Sequence, residues 1–467
     1  MMKSNLTINY LLIGSLILHS FNSMAQSPAI DFEQKLSSYL EIQNRQVGFN
    51  GIVTIVDGEG HMLEKEIGLA SRELEVPIRS NTKFKIASMT KSFTALLVSL
   101  AEQEGKLTLD DKIISYFHNL PNEEWKRVTI RQLMSHTSGI PHWKGIEGYW
   151  TEKSLIPLNH EQILAEFFNM ELEFDPGSKF GYSSPGYYLL ASILEDVYSD
   201  SFENILQTKI LSKLNMDATG IYNGHSILSN MSSGYHLISD NVIMAPPRNM
   251  ASMKGGGNMY STSADMTKWC RSFLTTAYWG EDLITRSFQP MTDHENPQKE
   301  SKYGRGWYLT DNGENQIKTF HLGGGTYGYS CNAAIYPDER FSIVIMSNMS
   351  FLPTDNIRKD IEKIVFGLPF EMPKDFGEEI QLSVEQLEHL AGRYQAENGM
   401  VLLTIIHQRS LYAKLGSNPP LKLFATDELN FTAQKVNIQF VFQSDESNKI
   451  TGLKTEGRGR IDYFQKQ

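Results

Sequence analysis

The chain has 467 residues, 40% of them hydrophobic and 21% charged. That is enough apolar material for a large core and more than one domain, and it excludes a disordered acidic polymer. The formal net charge of -11 disfavours nucleic acid and anionic membranes as partners, and no basic cluster or zinc-like Cys/His spacing opposes that reading.

The first segment reads as an export signal. Lys3 precedes an apolar run, Tyr10 to Leu18, and Ser23-Met24-Ala25 offers small residues before Gln26. The run is shorter than the roughly 20 residues a membrane span needs, and no cysteine near the cleavage point suggests a lipid anchor. Residues 1–25 are therefore expected to be a cleavable signal peptide. The mature protein is expected to be periplasmic or secreted, with no stable membrane span.

Ile30 to Gln46 is predicted to be a helix with Phe32, Leu36, Tyr39 and Leu40 turned inward. Gly51 to Val56 is a β-branched strand, followed by the turn Asp57-Gly58-Glu59-Gly60 and a partner near His61 to Ile67.

Phe93, Leu96, Leu97 and Leu100 then recur on one helical face, so a helix is predicted from Ser88 to Gln103, ended by Gly105. Ser88 lies at its N-terminus, where backbone N–H groups lack intrahelical partners. Lys91 is one turn on and projects to the same side. If that side is buried, desolvation lowers the lysine pKa, and a neutral amine can serve as base to the hydroxyl. Standing alone, the pattern fits a capping serine and a solvated lysine equally well.

Thr129 to Ile140 contains Ser135-His136-Thr137-Ser138-Gly139. The aromatic stretch Trp143, Tyr149 and Trp150 lines an apolar pocket or forms a packed loop. The turn Asp175-Pro176-Gly177 precedes Gly181-Tyr182-Ser183-Ser184, and Gly255-Gly256-Gly257 precedes Asn258-Met259-Tyr260-Ser261. Tyr303-Gly304-Arg305-Gly306-Trp307 and the glycine-rich His321-Leu322-Gly323-Gly324-Gly325 follow. Ser330 to Tyr336 and Phe341 to Ser347 form a hairpin, and Asp355 to Phe366 is helical with Ile357, Ile361, Ile364 and Val365 on one face. Cys270 falls in a helical pattern and Cys331 at the start of a strand. Two separate buried thiols are expected rather than a disulfide.

In their order and spacing these blocks resemble the serine β-lactamase and penicillin-binding protein superfamily. The nearest likeness is to the branch of class C β-lactamases, DD-peptidases, D-aminopeptidases and β-lactamase-like esterases. The likeness runs from about Phe32 to Gly367. It implies an α+β fold: an antiparallel sheet flanked by helices, with a helical subdomain and the site in the cleft. It also implies a Ser88 nucleophile, with Lys91 and Tyr182 sharing the general base and acid work. A phenol qualifies as base only if its pKa, about 10 unperturbed, is lowered by cations such as Lys91. Ser184, His321, Gly323, Gly324 and Gly325 are the implied substrate contacts, with the N–H groups of Ser88 and Gly324 as the oxyanion hole.

One departure bears on that assignment. Relatives place a glycine-aromatic pair six and seven residues after the leading Lys or His; here Gly328 and Tyr329 are seven and eight after His321. Either the strand bulges by one residue, keeping His321 in front with Gly324 as donor, or Leu322 leads and Gly325 donates. The first register is preferred. A histidine, mostly neutral at pH 7, holds a substrate carboxylate less well than lysine does.

After the charged linker Pro369 to Leu382, Ser383-Val384-Glu385-Gln386 has the form of a capping box. From Gly392 the pattern becomes short strands: Leu402 to His407, Leu411 to Lys414, Phe431 to Ala433, Ile438 to Phe442 and Ile450 to Lys454. The expected organisation is a hydrolase domain over 26–368, a linker and short helix over 369–391, and a small β-barrel or sandwich over 392–467. The expected function is cleavage of an amide or ester in a small-molecule or peptide substrate, without cofactor or metal. Two alternatives are a true class C-like β-lactamase and a catalytically weak penicillin- or peptidoglycan-binding sensor.

Overall fold

A computed structural model describes residues 28–238, 241–296, 301–312, 317–373, 379–397, 399–416, 420–433, 438–457 and 460–467. The expected signal peptide and Gly377 of the expected linker lie outside the described residues. The chain divides into two compact units, 48–358 and 28–47 with 359–467.

The first unit is built on a seven-stranded antiparallel sheet. Its strands are β1 (Gly51–Val56), β2 (Met62–Ile67), β3 (Lys302–Tyr303), β4 (Tyr308–Asn312), β5 (Ile317–Thr326), β6 (Tyr329–Tyr336) and β7 (Phe341–Ser347), in the spatial order β3-β4-β5-β6-β7-β1-β2. The chain-distant β1 and β7 therefore pair: Val53 lies opposite Ile345 and, on its β2 side, Lys65. β1, β6 and β7 are buried throughout, and β1 accordingly reads as a β-branched run rather than an alternating one.

The helix-rich segment between β2 and β3 supplies the rest of the core. Its first long helix, Thr90–Gln103, buries Phe93, Leu96 and Leu97 and ends where Gly105 takes a φ of +70°, a left-handed turn that glycine adopts without strain. Phe93 stacks on Trp269 of the helix Ser263–Ser272 with ring centroids 3.9 Å apart, and the Trp269 indole donates to Ser92 Oγ at 3.0 Å. Gly306 packs against the same helix: a Cβ there would lie 2.6 Å from Ser92 Cα. The Tyr303-to-Trp307 motif thus needs its glycine so that the backbone can lie on the helix bearing the Ser88–Lys91 pair.

In the second unit, Leu36, Tyr39 and Leu40 of the helix Pro28–Val47 are buried, and the Tyr39 hydroxyl donates to Asp360 Oδ2 at 2.9 Å. The C-terminal strands, from Gly392–Gln395 to Arg460–Lys466, close into an eight-stranded barrel. Its interior is filled by Tyr394, Leu402, Leu411, Leu423, Phe431, Phe440, Phe442, Leu453 and Phe464. Ser383 and Gln386 form the expected capping box at the start of the helix Val384–Leu390. Among the described residues no helix is long and apolar enough to cross a membrane.

Candidate active site

Ser88 sits in a 3-10 turn, Ala87–Met89, that leads directly into the helix Thr90–Gln103. The preceding Ala87 has a φ of +46°, a left-handed conformation uncommon for alanine and of the kind that collects at functional sites. Ser88 is partly exposed, whereas Lys91 is only 1% exposed. The Lys91 Nζ lies 3.1 Å from Ser88 Oγ, 3.0 Å from Ser184 Oγ and 2.5 Å from the Gly256 carbonyl oxygen. No acidic side chain forms an ion pair with it among the described residues, and burial lowers its pKa to about 7. A neutral amine has two N–H donors and one lone pair. Gly256 O and Ser184 Oγ take the donors, leaving the lone pair for the Ser88 hydroxyl.

Tyr182 precedes the helix Ser184–Tyr198, which is capped by the Ser183 side chain accepting the Gly186 N–H. Its phenol is hydrogen-bonded to the Ser88 side chain, and its ring centroid is 5.0 Å from Lys91 Nζ. Burial pushes the phenol pKa well above its ordinary value, and the Ser88 bond offsets this only in part. The lowering that a phenolate base requires is therefore not what this environment produces; of the two groups, Lys91 is poised to accept a proton near neutrality.

Two histidines hold the segment carrying Tyr182 and Ser184. His136 Nδ1 accepts the Ser183 N–H at 3.1 Å, and His142 Nδ1 accepts the Ser184 N–H at 3.2 Å. Both acceptor roles require a bare Nδ1. Burial first, and then the Lys91 charge, pushes both pKa values down, that of His142 to about 3.

The third motif differs from the preferred register. β5 pairs with β6 without a bulge from Phe320 opposite Ile335 to Thr326 opposite Tyr329, so the turn is Tyr327-Gly328. The strand's two faces then separate the candidates. A Cβ on Gly324 would lie 2.1 Å from the Ile86 carbonyl oxygen and 3.1 Å from Ser88 N, which places Leu322 and Gly324 on the face towards Ser88. His321 belongs to the opposite face. It is 2% exposed, its Nε2 is 3.2 Å from Thr310 Oγ1, and its Nδ1 is 3.7 Å from Asp355 Oδ1. The unbulged pairing does not show the bulge on which the preferred register, led by His321 with Gly324 as donor, relied; the alternative register, led by Leu322 with Gly325 as candidate donor, needs none.

A cavity of about 380 Å³ brings Ser88, Ser184, Gly256 and Gly323–Gly325 together with His142, Asn332, Asp355, Trp143, Trp150, Tyr327 and Phe351. His321 is not on its wall, and Lys91 and Tyr182 stand behind Ser88. Of the aromatic stretch, Tyr149 is packed beneath Trp143 with centroids 4.5 Å apart, while Trp150 is 40% exposed and faces the cavity. Three contributors were missed in the sequence. The Gly256 carbonyl is a backbone atom with no residue signature, although its Gly-Gly-Gly motif was singled out. His142 and Asn332 come near Ser88 only through long-range folding. Cys270 and Cys331 are both free and buried, as expected.

Comparison with known proteins bears on the family and the fold. The family model described as Beta-lactamase matches residues 32–364. Penicillin-binding protein 4* of Bacillus subtilis (strain 168) is 25% identical over 429 residues, covering 88% of this chain and 94% of that protein. An octameric penicillin-binding protein homologue from Pyrococcus abyssi superposes with a TM-score of 0.66 at 21% identity, over 92% of this chain and 99% of that one. The D-amino acid amidase of Ochrobactrum anthropi SV3, complexed with D-phenylalanine, has a TM-score of 0.64 at 20% identity, over 72% of this chain and 99% of that one. At these identities the two structural likenesses speak for the fold.

Proposed function

The chain belongs to the beta-lactamase family, and on that premise we propose that it is an exported serine hydrolase cleaving an amide or ester through a Ser88 acyl-enzyme. The observation that carries the reading is the buried Lys91 amine, with a pKa near 7 and 3.1 Å from Ser88 Oγ.

Lys91 Nζ takes the Ser88 proton as Oγ bonds to the substrate carbonyl carbon. The resulting oxyanion is held by the N–H groups of Ser88 and Gly325; losing one such donor typically costs about 2.7–4 kcal/mol of transition-state stabilisation. The proton passes from Lys91, with Tyr182 as relay, to the leaving nitrogen or oxygen as the carbon–heteroatom bond breaks. Water then attacks the acyl-enzyme with the same groups acting in reverse. Ser184 holds Lys91 and faces the substrate.

A relative named for penicillin binding and one named as a D-amino acid amidase support a peptidase or amidase, with esterase activity as the same chemistry on an oxygen leaving group. Among the described residues that line the cavity there is no lysine or arginine. That weighs against a β-lactamase, whose substrate carries a carboxylate to be paired. Export rests on the N-terminal sequence pattern, with the hydrolase domain over 26–368 and the small β-domain over 392–467. Labelling with a fluorophosphonate or a fluorescent penicillin, followed by mapping of the modified residue, tests the reading.

A further inference from the structure

We infer that the cavity beside Ser88 selects substrates bearing an uncharged aromatic substituent, gripped by Trp150, Tyr327 and Phe351. The inference rests on the serine-hydrolase reading above and names the substrate class of that same site.

The three rings are presented to the cavity rather than buried in the core. Trp150 and Tyr327 face each other with centroids 5.7 Å apart. Phe351 is 85% exposed although it lines the cavity, and its φ is +60°, an outlier for a bulky side chain. The neighbouring backbone fixes that conformation: Ser350 N donates to Tyr235 O at 2.9 Å, and Leu352 N to Ser330 Oγ at 3.2 Å. His236 stacks on the Phe351 ring, centroids 5.7 Å apart and 8° from parallel. A strained residue holding a large ring in solvent points to a ligand that covers it.

The jaws are also braced. The Arg248 guanidinium lies 4.0 Å from the Tyr327 ring centroid. Its Nη1 donates to the Trp150 carbonyl at 2.7 Å and to Ser154 Oγ at 2.9 Å. Arg248 therefore acts as a positioning residue that ties Trp150 to Tyr327, and it is not on the cavity wall. The carboxylate on that wall, Asp355, is held by Asn332 Nδ2 at 3.3 Å and lies 3.5 Å from Arg358 Nε. Among the described residues the wall thus offers aromatic faces and no lysine or arginine, which suits a neutral aryl group and not a carboxylate.

The test uses binding and turnover in parallel. In the Ser88→Ala protein, phenylacetamide should bind about tenfold or more tighter than acetamide, and succinamate no tighter than acetamide. In the wild type, kcat/KM should favour p-nitrophenyl phenylacetate over the acetate by a similar factor, and Trp150→Ala or Phe351→Ala should collapse that ratio. Phe351 is exposed, so its variant keeps the test valid if Trp150→Ala misfolds. Equal binding of the two amides, a ratio unmoved in both variants, or tighter binding of succinamate overturns the inference. Selective binding without any turnover would leave the clamp standing and count against the hydrolase reading instead.

Discussion

Lys91 Nζ approaches the Gly256 carbonyl oxygen to 2.5 Å, closer than it comes to Ser88 Oγ at 3.1 Å. A carbonyl can only accept, so one N–H of the amine is always committed there. With Ser184 taking a second, deprotonation frees the electron pair that faces the serine. Acylation of Ser88 should therefore rise with pH through about 7 and level off above it. Lys91→Met should abolish the rise and most of the rate, and Tyr182→Phe should lower the rate while leaving the midpoint near 7. Stopped-flow acylation across pH 5–9 reads all three.

Gly324 and Gly325 are adjacent but differ in what surrounds them. A Cβ on Gly324 meets the Ile86 carbonyl oxygen at 2.1 Å, whereas one on Gly325 meets nothing within 4 Å. Gly324→Ala should cost about 1–3 kcal/mol, as overpacking typically does, and Gly325→Ala should unfold like the wild type. Urea titration of both variants checks the contrast.

How far the sequence reached follows from the same geometry. The three-residue spacing let Ser88 and Lys91 share one side of a helical turn, but only the ordered motifs that follow set the pair apart from a capping serine and a solvated lysine. Tyr182 and Ser184 stood out through the order of their block after the Ser88 one, as the family resemblance implies, and the structure brings Ser184 to 3.0 Å from Lys91 Nζ. β1 was read to the residue, since Gly51 to Val56 is β-branched between turn signals. The third motif stayed open between two registers because strand side chains alternate with period two, so a one-residue ambiguity moves His321 to the opposite face. Three barrel strands were also overlooked. In Arg460–Lys466 the exposed positions carry Ile461 and Tyr463 while Phe464 points inward, a pattern that alternation alone does not sort.

His136 and His142 give the fold an acid limit. Both are held below the ordinary histidine value, His142 at about 3. The unfolded chain, with histidines near 6.5, therefore binds protons that the folded chain does not. Their contribution is complete above about pH 6.5 and is lost as pH falls towards 3. The Tm of His142→Gln should fall less steeply than that of the wild type between pH 6.5 and 4, as followed by circular dichroism.

The two thiols should be silent in the native protein. Cys270 and Cys331 are buried, and burial pushes both pKa values up to about 12. Thiol titration should detect neither in the folded protein and both after denaturation without reductant; the absence of both after denaturation would point to a bridge.

The central claim, that Ser88 is the acylated nucleophile, is met most directly by intact-mass analysis after incubation with a fluorophosphonate. The account predicts one adduct per chain, mapped by peptide sequencing to Ser88, and none in a folded Ser88→Ala protein. An adduct on another residue, or equal labelling of Ser88→Ala, would contradict it.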